Sequence, residues 1–268
     1  YDRYFHRRKE LLQYPTGEES LAMITGKALQ EGHRPAYSLS DAQRAIVTEG
    51  KTRNILILAG PGSGKTKSLV HRAAWLVRVE RVSWGGVLVV AFNRSTVLEI
   101  RKRLRELLGN DSRHIFVSTY HGLALRIASR SLAAQAGGDR ATRREDLMKT
   151  IVKDAVSALE SVTGEDRDSM TEGLLSRVRY ILADEYQDID EDEYRMLALL
   201  SRKDEPDAER EVRLLAVGDD DQNIYEWKGS DVKFIRRFEA DYKPAVHRLL
   251  TNYRSSEPIT SFCEEFIR

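Results

Sequence analysis

The feature that most constrains this chain lies between Ile55 and Thr66 and reads ILILAGPGSGKT. A short apolar run breaks into a glycine-rich turn, and Lys65, Thr66 and a helix-like stretch over 67–79 follow at once. This order predicts a strand, a phosphate-binding loop (P-loop) and a helix. The pattern begins with Ala59 instead of glycine, but the later glycines and the Lys-Thr pair are intact.

The residue types of this loop suit a polyphosphate with a divalent cation. Gly60, Gly62 and Gly64 let the backbone turn tightly, so that its N–H groups and the start of the next helix face the phosphates. Lys65 would add a positive charge and Thr66 a hydroxyl ligand for Mg²⁺. A plain strand-to-helix turn is the alternative, but the buried type of strand before the loop favours nucleotide binding.

Composition restricts the class of protein. The 268 residues are 41% hydrophobic, enough for one large or two small domains with a real core. Because 43 basic residues face 42 acidic ones, any contact with nucleic acid needs a local patch. The one cysteine, Cys263, excludes an internal disulfide framework, and no apolar run approaches the roughly 18 residues of a membrane span. Since the chain starts without Met, we expect a piece of a longer protein.

Strand and helix patterns alternate along the chain. Residues 87–92 and 115–122 form apolar runs typical of strands, and helix-like stretches over 96–108 and 123–132 follow them. This alternation predicts an α/β fold with a parallel sheet flanked by helices. Residues 133–176 interrupt it with charged, helix-prone sequence, which we interpret as a small helical insert.

A second chemical motif follows the strand-like run 178–183. That run leads directly into Asp184-Glu185-Tyr186-Gln187-Asp188, and an apolar strand that ends in adjacent acids is the Walker B arrangement. Asp184 would bind Mg²⁺ beside Thr66, and Glu185 would activate the attacking water. A helix N-cap cluster is the alternative, but the upstream P-loop favours the metal and base roles.

Two further strand-like runs end in distinctive segments. Residues 212–217 lead into GDDDQNIYEWKG at 218–229, and residues 249–256 read LLTNYRSS. The adjacent acids at 219–221 repel one another, so we expect a metal, a cationic partner or a helix N-terminus nearby, with a solvated loop as the alternative. A short amphipathic helix, capped by Ser40 or Asp41, precedes the P-loop.

Taken in this order, the segments resemble the UvrD, Rep and PcrA family of superfamily 1 DNA helicases over about residues 38–256. The resemblance lies in residues 39–43 (the Q motif), 59–66 (motif I), 117–125 (Ib), 183–188 (II), 217–229 (III) and 250–255 (IV). The D-E-x-Q-D and G-D-x-x-Q-x-I-Y-x-W patterns are specific to that family, whereas a P-loop alone is not.

The resemblance implies a fold and a domain plan. The fold would be that of a RecA-like P-loop NTPase. Residues 38–132 and 177–250 would form the ATP-binding motor domain (1A), and 133–176 a short insert similar to subdomain 1B. Residues 251–268 would begin a second motor domain (2A), whose motifs V and VI lie beyond the chain. Residues 1–37 would be an N-terminal extension of unknown role.

The resemblance also assigns nucleotide contacts. Gln43 would bind the adenine edge through its amide, Tyr253 would stack on the base, and Arg254 would reach the γ-phosphate. Gln222 would sense that phosphate and couple its state to DNA. The implied catalytic residues are Glu185, Lys65, Gln222 and Arg254. The implied nucleotide contacts are Gln43, Gly60, Pro61, Gly62, Ser63, Gly64, Lys65, Thr66, Lys67 and Tyr253, and the implied metal ligands are Thr66 and Asp184.

On the DNA side, aromatic residues would stack on bases without choosing a sequence. The implied contacts are Phe92, Tyr120, His121, Tyr225 and Trp227, and a core position stays open for Phe92 and Tyr120. Lys67 and Lys228 stand where the family usually has arginine. Because lysine lacks the planar fork of arginine, we expect weaker nucleotide stacking and coupling.

The expected function is that of the first motor domain of an ATP-dependent, Mg²⁺-dependent DNA helicase, with 3′ to 5′ polarity by resemblance. Its partners would be single-stranded or 3′-tailed duplex DNA and the missing motor domain, in a bacterial-type cytoplasm near the nucleoid. Two alternatives stay open: an ATP-dependent switch or assembly module that does not translocate, and the helicase arm of a recombination nuclease complex.

Overall fold

The computed structural model describes residues 39–134, 144–162, 177–202, 212–219 and 233–256, with 258, 259 and 262. Its centre is a six-stranded sheet in the order β3-β2-β4-β5-β1-β6. The strands are β1 Ile55–Ala59, β2 Val87–Ala91, β3 Phe116–Thr119, β4 Tyr180–Ala183, β5 Arg213–Gly218 and β6 Ala245–Leu249. Every pair of neighbouring strands is parallel, which confirms the predicted fold class.

Seven α-helices are described. They are α1 Asp41–Thr48, α2 Lys65–Arg78, α3 Arg94–Leu108, α4 Tyr120–Ala134, α5 Arg144–Glu160, α6 Glu191–Ser201 and α7 Lys233–Tyr242. Short 3₁₀ turns occupy Trp84–Gly86, Gly109–His114 and Tyr186–Asp188. Helix α4 begins at Tyr120, three residues before the predicted start.

The two faces of the sheet are buried under different helices. In β1, Leu56 and Leu58 belong to a core cluster with residues of α4, α5, α6 and α7, whereas Ile55, Ile57 and Ala59 belong to a cluster with α2 and α3. This division follows from the alternation of side chains along a strand. Because both faces are covered, β1 and β2 have no polar positions and are continuous apolar runs in the sequence.

Helix α5 lies inside the segment 133–176, which the sequence predicts to be a small helical insert. Its residues Ile151, Val152, Ala155 and Leu159 are buried in the same cluster as the residues of α4 and α6. The helix therefore completes one layer of the main core. Its apolar positions follow helical spacing, but the charged residues between them obscured that stripe in the sequence.

The strand order determines where functional side chains meet. Strands β4, β5, β1 and β6 are successive neighbours and run in the same direction, so their carboxyl ends lie side by side. The P-loop follows β1, the acids Asp184 and Glu185 follow β4, Asp219 follows β5, and the segment 250–256 follows β6. Open parallel sheets bind their ligands at this edge.

A buried arginine joins α1 to the helix that follows the P-loop. The guanidinium of Arg72, in α2, donates hydrogen bonds to the carbonyl oxygens of Val47 (2.8 Å), Glu49 (2.6 Å) and Gly50 (3.4 Å). These carbonyls belong to the carboxyl end of α1 and the residues after it, where intrahelical partners are missing. Burial lowers the pKa of Arg72, and the three bonds compensate for the cost of placing this side chain in the core.

Replacing Arg72 with Met should therefore destabilise the chain. Arg72→Met leaves buried carbonyl oxygens without donors, so the free energy of unfolding should fall by about 2 to 3 kcal/mol. Urea unfolding followed by circular dichroism measures this change. The matched control is Arg44→Met, because Arg44 lies on the surface of α1 and its 3.8 Å pair with Asp41 is exposed. The control should change the free energy of unfolding by less than about 0.5 kcal/mol. Equal effects of both variants would contradict the stabilising role of the Arg72 hydrogen bonds.

Candidate active site

The loop after β1 has the backbone conformation that its glycines allow. Gly62 (φ +69°) and Gly64 (φ +90°) both lie in the left-handed region, and Gly64 is the N-cap of α2. The hydroxyl of Ser63 donates to the carbonyl of Gly60 at 2.7 Å, which closes the loop on itself. Pro61 is exposed at its tip. The loop thus presents a tight turn at the positive end of a helix.

Lys65 lies between two carboxylates from neighbouring strands. Its Nζ is 3.4 Å from Oε2 of Glu185, which follows β4, and 3.6 Å from Oδ2 of Asp219, which follows β5. The cationic partner expected near the acids at 219–221 is present, because Lys65 fills this role for Asp219. A nucleotide phosphate would compete with both carboxylates for this ammonium group.

Thr66 and Asp184 bring two oxygen ligands together. The Thr66 hydroxyl donates to Oδ2 of Asp184 at 3.3 Å, and the N–H of Glu185 donates to the other carboxylate oxygen at 3.1 Å. Asp184 is fully buried. Burial, together with the neighbouring charge of Glu185, raises its pKa to about 7. A bound cation would favour the ionised form of this carboxyl.

These oxygens fit Mg²⁺ in the manner of a nucleotide site. Mg²⁺ prefers oxygen ligands and usually keeps several waters, with one or two carboxylates and substrate phosphates completing its coordination. Among the described residues, no group of three or more His, Cys, Asp and Glu side chains is arranged to hold a metal. The hydroxyl of Thr66 and the carboxylate of Asp184 are the kinds of oxygen ligand that Mg²⁺ takes in a nucleotide site.

Glu185 occupies a strained position at the end of β4. Its φ of +50° lies in the left-handed region, which residues other than glycine adopt uncommonly and at some cost in free energy. Its side chain is 31% exposed, so a water can reach the carboxylate. Its Oε2 accepts a hydrogen bond of 2.8 Å from Nε2 of Gln187. The site predictions did not include Gln187 or Asp219, although both lie in segments with a family-specific pattern.

Gln43 joins α1 to the P-loop. Its Oε1 accepts from the N–H of Ser40 in a capping box, and its Nε2 donates to the carbonyl of Ser63 at 3.0 Å. A Cβ at position 64 would lie 2.5 Å from this Nε2, so Gly64 allows the close approach. The structure thus places Gln43 at the loop, and its amide, the group predicted to bind adenine, is bonded to protein atoms.

The segment after β6 lies against the same loop. The N–H of Tyr253 donates to the carbonyl of Gly62 at 2.9 Å, and a Cβ at position 62 would lie 2.6 Å from atoms of both Asn252 and Arg254. Oδ1 of Asn252 accepts from the N–H groups of Arg254 and Ser255, which fixes the turn. The structure therefore places Tyr253, whose side chain is exposed, and Arg254 beside the P-loop.

Four other predicted residues occupy different environments. Phe92 is half-buried directly after β2, and His121 is partly exposed, with Nδ1 3.8 Å from Oε1 of Glu193. Tyr120 is 0% exposed and belongs to the core, so the structure supports the core alternative and not a DNA contact. Lys67 is half-buried in the first turn of α2, where burial and the charge of Arg103 lower its pKa.

Three predicted residues lie outside the described part of the chain: Gln222, Tyr225 and Trp227. Residues 1–37, the predicted N-terminal extension, lie outside it as well. Among the helices that the structure describes, none has the length and apolar content needed to cross a membrane.

Known helicases are similar to this chain in sequence. DNA helicase II of Escherichia coli is 31% identical over 86% of the chain, and DNA helicase II of Haemophilus influenzae is 27% identical over 85%. ATP-dependent DNA helicase PcrA of Staphylococcus aureus is 29% identical over 82%. The chain spans only 38 to 40% of the length of these proteins.

A solved structure and a family model agree with this similarity. The Pif1 helicase from Candida albicans matches 86% of the chain and 44% of its own length, with a TM-score of 0.50 and 14% identity, which shows a shared fold. A family model described as AAA domain matches residues 42–228. The chain therefore belongs to the AAA domain family, and its predicted resemblance to the UvrD- and PcrA-like superfamily 1 helicases is confirmed.

Proposed function

We propose that this chain is the ATP-binding motor domain of an ATP-dependent DNA helicase or translocase that acts on single-stranded DNA in the 3′ to 5′ direction. The observation that carries the proposal is the convergence of Lys65, Thr66, Asp184 and Glu185 at the carboxyl ends of β1 and β4. A phosphate-binding loop, a metal ligand pair and a candidate base within one site are the parts that phosphoryl transfer to water requires. The helicase names of its relatives support the DNA part.

The chemistry follows from the positions of these groups. When a nucleotide enters, Lys65 exchanges its two carboxylate partners for phosphate oxygens, and the N–H groups of the loop bind the same phosphates. Thr66 and Asp184 would hold Mg²⁺, which supplies charge neutralisation on the phosphates. Glu185, released from Lys65, accepts a proton from the attacking water. Arg254, at the adjacent turn, adds positive charge at the γ-phosphate.

The remaining contacts are proposed from the family resemblance. Gln43 and Tyr253 would bind the base, and Gln222 would couple the phosphate to DNA. Phe92, directly after β2, and His121, in the first turn of α4, would contact the DNA strand with Tyr225 and Trp227. A second motor domain, starting near residue 251, would close on the site and supply a further arginine. The protein would work near the DNA of a bacterial-type cell.

One prediction concerns the chain by itself. Because an arginine supplied across an interface is worth about 10³ to 10⁵ in rate, the chain should bind ATP with Mg²⁺ but hydrolyse it slowly. Binding of a fluorescent ATP analogue and phosphate release, each with and without single-stranded DNA, provide the measurement. Fast turnover would contradict the dependence on a second domain. If single-stranded DNA changed neither ATP binding nor turnover in the longer protein, the alternative of an ATP-dependent switch or assembly module would be favoured.

The proposed base gives a second prediction. Glu185→Gln, in the longer protein that contains this chain, should lower the turnover number for ATP by about 10² to 10⁴ because the amide cannot accept the proton of water. The dissociation constant for ATP should stay within about threefold, since the side chain does not bind phosphate. Steady-state phosphate release and analogue binding test both statements. Glu239→Gln, on the exposed face of α7, is the control, and turnover retained in Glu185→Gln would rule out the base role.

The raised pKa of Asp184 gives a third prediction. A carboxyl whose pKa rises from 3.8 to about 7 on folding binds its proton more tightly in the native state. Without Mg²⁺, its contribution to stability is therefore present below its unfolded pKa and is lost as pH rises towards about 7. Thermal unfolding of the wild type and Asp184→Asn between pH 4 and pH 8 tests this. The wild type should lose stability relative to the variant across that interval, and a constant difference would refute the assignment.

A further inference from the structure

The buried amide of Gln187 is bonded on both sides to the proposed active site. Its Nε2 donates to Oε2 of Glu185 at 2.8 Å and, over a longer distance of 3.5 Å, to Oδ2 of Asp188. Its Oε1 accepts from the backbone N–H of Asp219 at 3.0 Å. The residue is only 2% exposed. A single side chain thus joins the residues that follow two neighbouring strands, β4 and β5.

These bonds complete a closed ring of four residues. Lys65 contacts the carboxylates of Glu185 (3.4 Å) and Asp219 (3.6 Å), and Gln187 bonds the same Oε2 of Glu185 and the backbone N–H of Asp219. A nucleotide that attracts Lys65 to its phosphates removes two contacts of this ring. The two bonds of Gln187 do not involve Lys65. They remain available to hold Glu185 at the moment when its position matters for the reaction.

The surrounding backbone allows the Gln187 side chain to lie close to both strand ends. Gln187 lies in the 3₁₀ turn Tyr186–Asp188, which starts at the strained Glu185, and the N–H of Asp188 donates to the Glu185 carbonyl at 3.0 Å. A Cβ at position 218 would lie 3.2 Å from Oε1 of Gln187 and 3.4 Å from its backbone nitrogen. Glycine at the end of β5 therefore lets the strand approach the amide closely.

The two bonds need the two different ends of an amide. The carboxylate of Glu185 accepts and requires a donor, whereas the N–H of Asp219 donates and requires an acceptor. A carboxylate of the same length offers acceptors only, and a thioether offers no strong group of either kind. Gln187 satisfies both partners at a buried place where an unsatisfied group is costly.

We propose that Gln187 is a positioning residue for ATP hydrolysis, which orients the Glu185 carboxylate towards the attacking water and ties it to the backbone of Asp219. The inference rests on the proposed ATPase function. Gln187 does not touch the reacting atoms and acts through Glu185. Its role is to keep the base within the narrow geometry that the reaction requires, since a displacement of about 1 Å can cost about 10²-fold in rate.

The test uses two variants of the longer protein that contains this chain. Gln187→Glu keeps an acceptor for the N–H of Asp219 but places a second carboxylate beside Glu185. Gln187→Met keeps the length of the side chain and removes its bonds to Glu185, Asp188 and Asp219. Turnover of ATP at saturating single-stranded DNA, affinity for a non-hydrolysable ATP analogue, and Tm are measured for each. Asn110→Asp is the matched control, because it makes the same amide-to-acid change at an exposed position in the turn before β3.

A positioning role predicts a split between turnover and binding. Both Gln187 variants should lose about tenfold to 10²-fold in turnover, while analogue affinity stays within about threefold and Asn110→Asp behaves as wild type. Wild-type turnover in Gln187→Glu would overturn the inference and leave the proposed function intact. A parallel loss of turnover, analogue affinity and Tm would also overturn it, because that pattern belongs to a purely structural residue. A wild-type protein without ATP hydrolysis would overturn the proposed function itself.

Discussion

Concentrated negative charge at the carboxyl edge of the sheet is the constraint on which the rest of this site depends. Asp184 and Asp219 are buried there, and Glu185 stands between them in the chain. Such neighbouring charges cost free energy unless cations or donors compensate for them. Burial and the charge of Glu185 raise the pKa of Asp184 for this reason. Lys65 contacts two of the three carboxylates and Thr66 donates to the third. Lys65 and Thr66 of the P-loop therefore stabilise this group of carboxylates.

Much of the fold was predictable from sequence because a parallel sheet leaves a simple signal. Strands β1 and β2 are apolar at every position, since helices cover both of their faces. The start of α4 was less predictable, because Tyr120 follows β-branched and aromatic residues that suit a strand. Its burial in a cluster with residues of α5 and α6 is a tertiary contact that the local sequence does not show. The assignment of α5 to the main core likewise depends on tertiary packing that charged residues concealed in the sequence.

The residues of the candidate site likewise divide into those that were predictable from the sequence and those that were not. Lys65, Thr66, Asp184 and Glu185 were predictable, because each follows or begins an element in a recognisable pattern. The bonds from Gln187 to Asp219 and from Gln43 to Ser63 were not, because they join residues that lie far apart in the chain. An isolated glutamine has no periodicity or composition signal. Only the three-dimensional approach of two strand ends shows which donor and acceptor an amide will satisfy.

The hydrogen bond from Tyr253 to Gly62 connects the P-loop to the segment that follows β6. A peptide unit is planar, so the carbonyl of Gly62 and the N–H of Ser63 rotate together as one rigid unit. The carbonyl end of that unit accepts a hydrogen bond from the N–H of Tyr253, and its N–H end donates to the carbonyl of Gly60 at 3.4 Å. A displacement of the segment after β6 would therefore either break this bond or rotate a peptide unit of the P-loop. One hydrogen bond thus links the position of that segment to the backbone conformation of the loop.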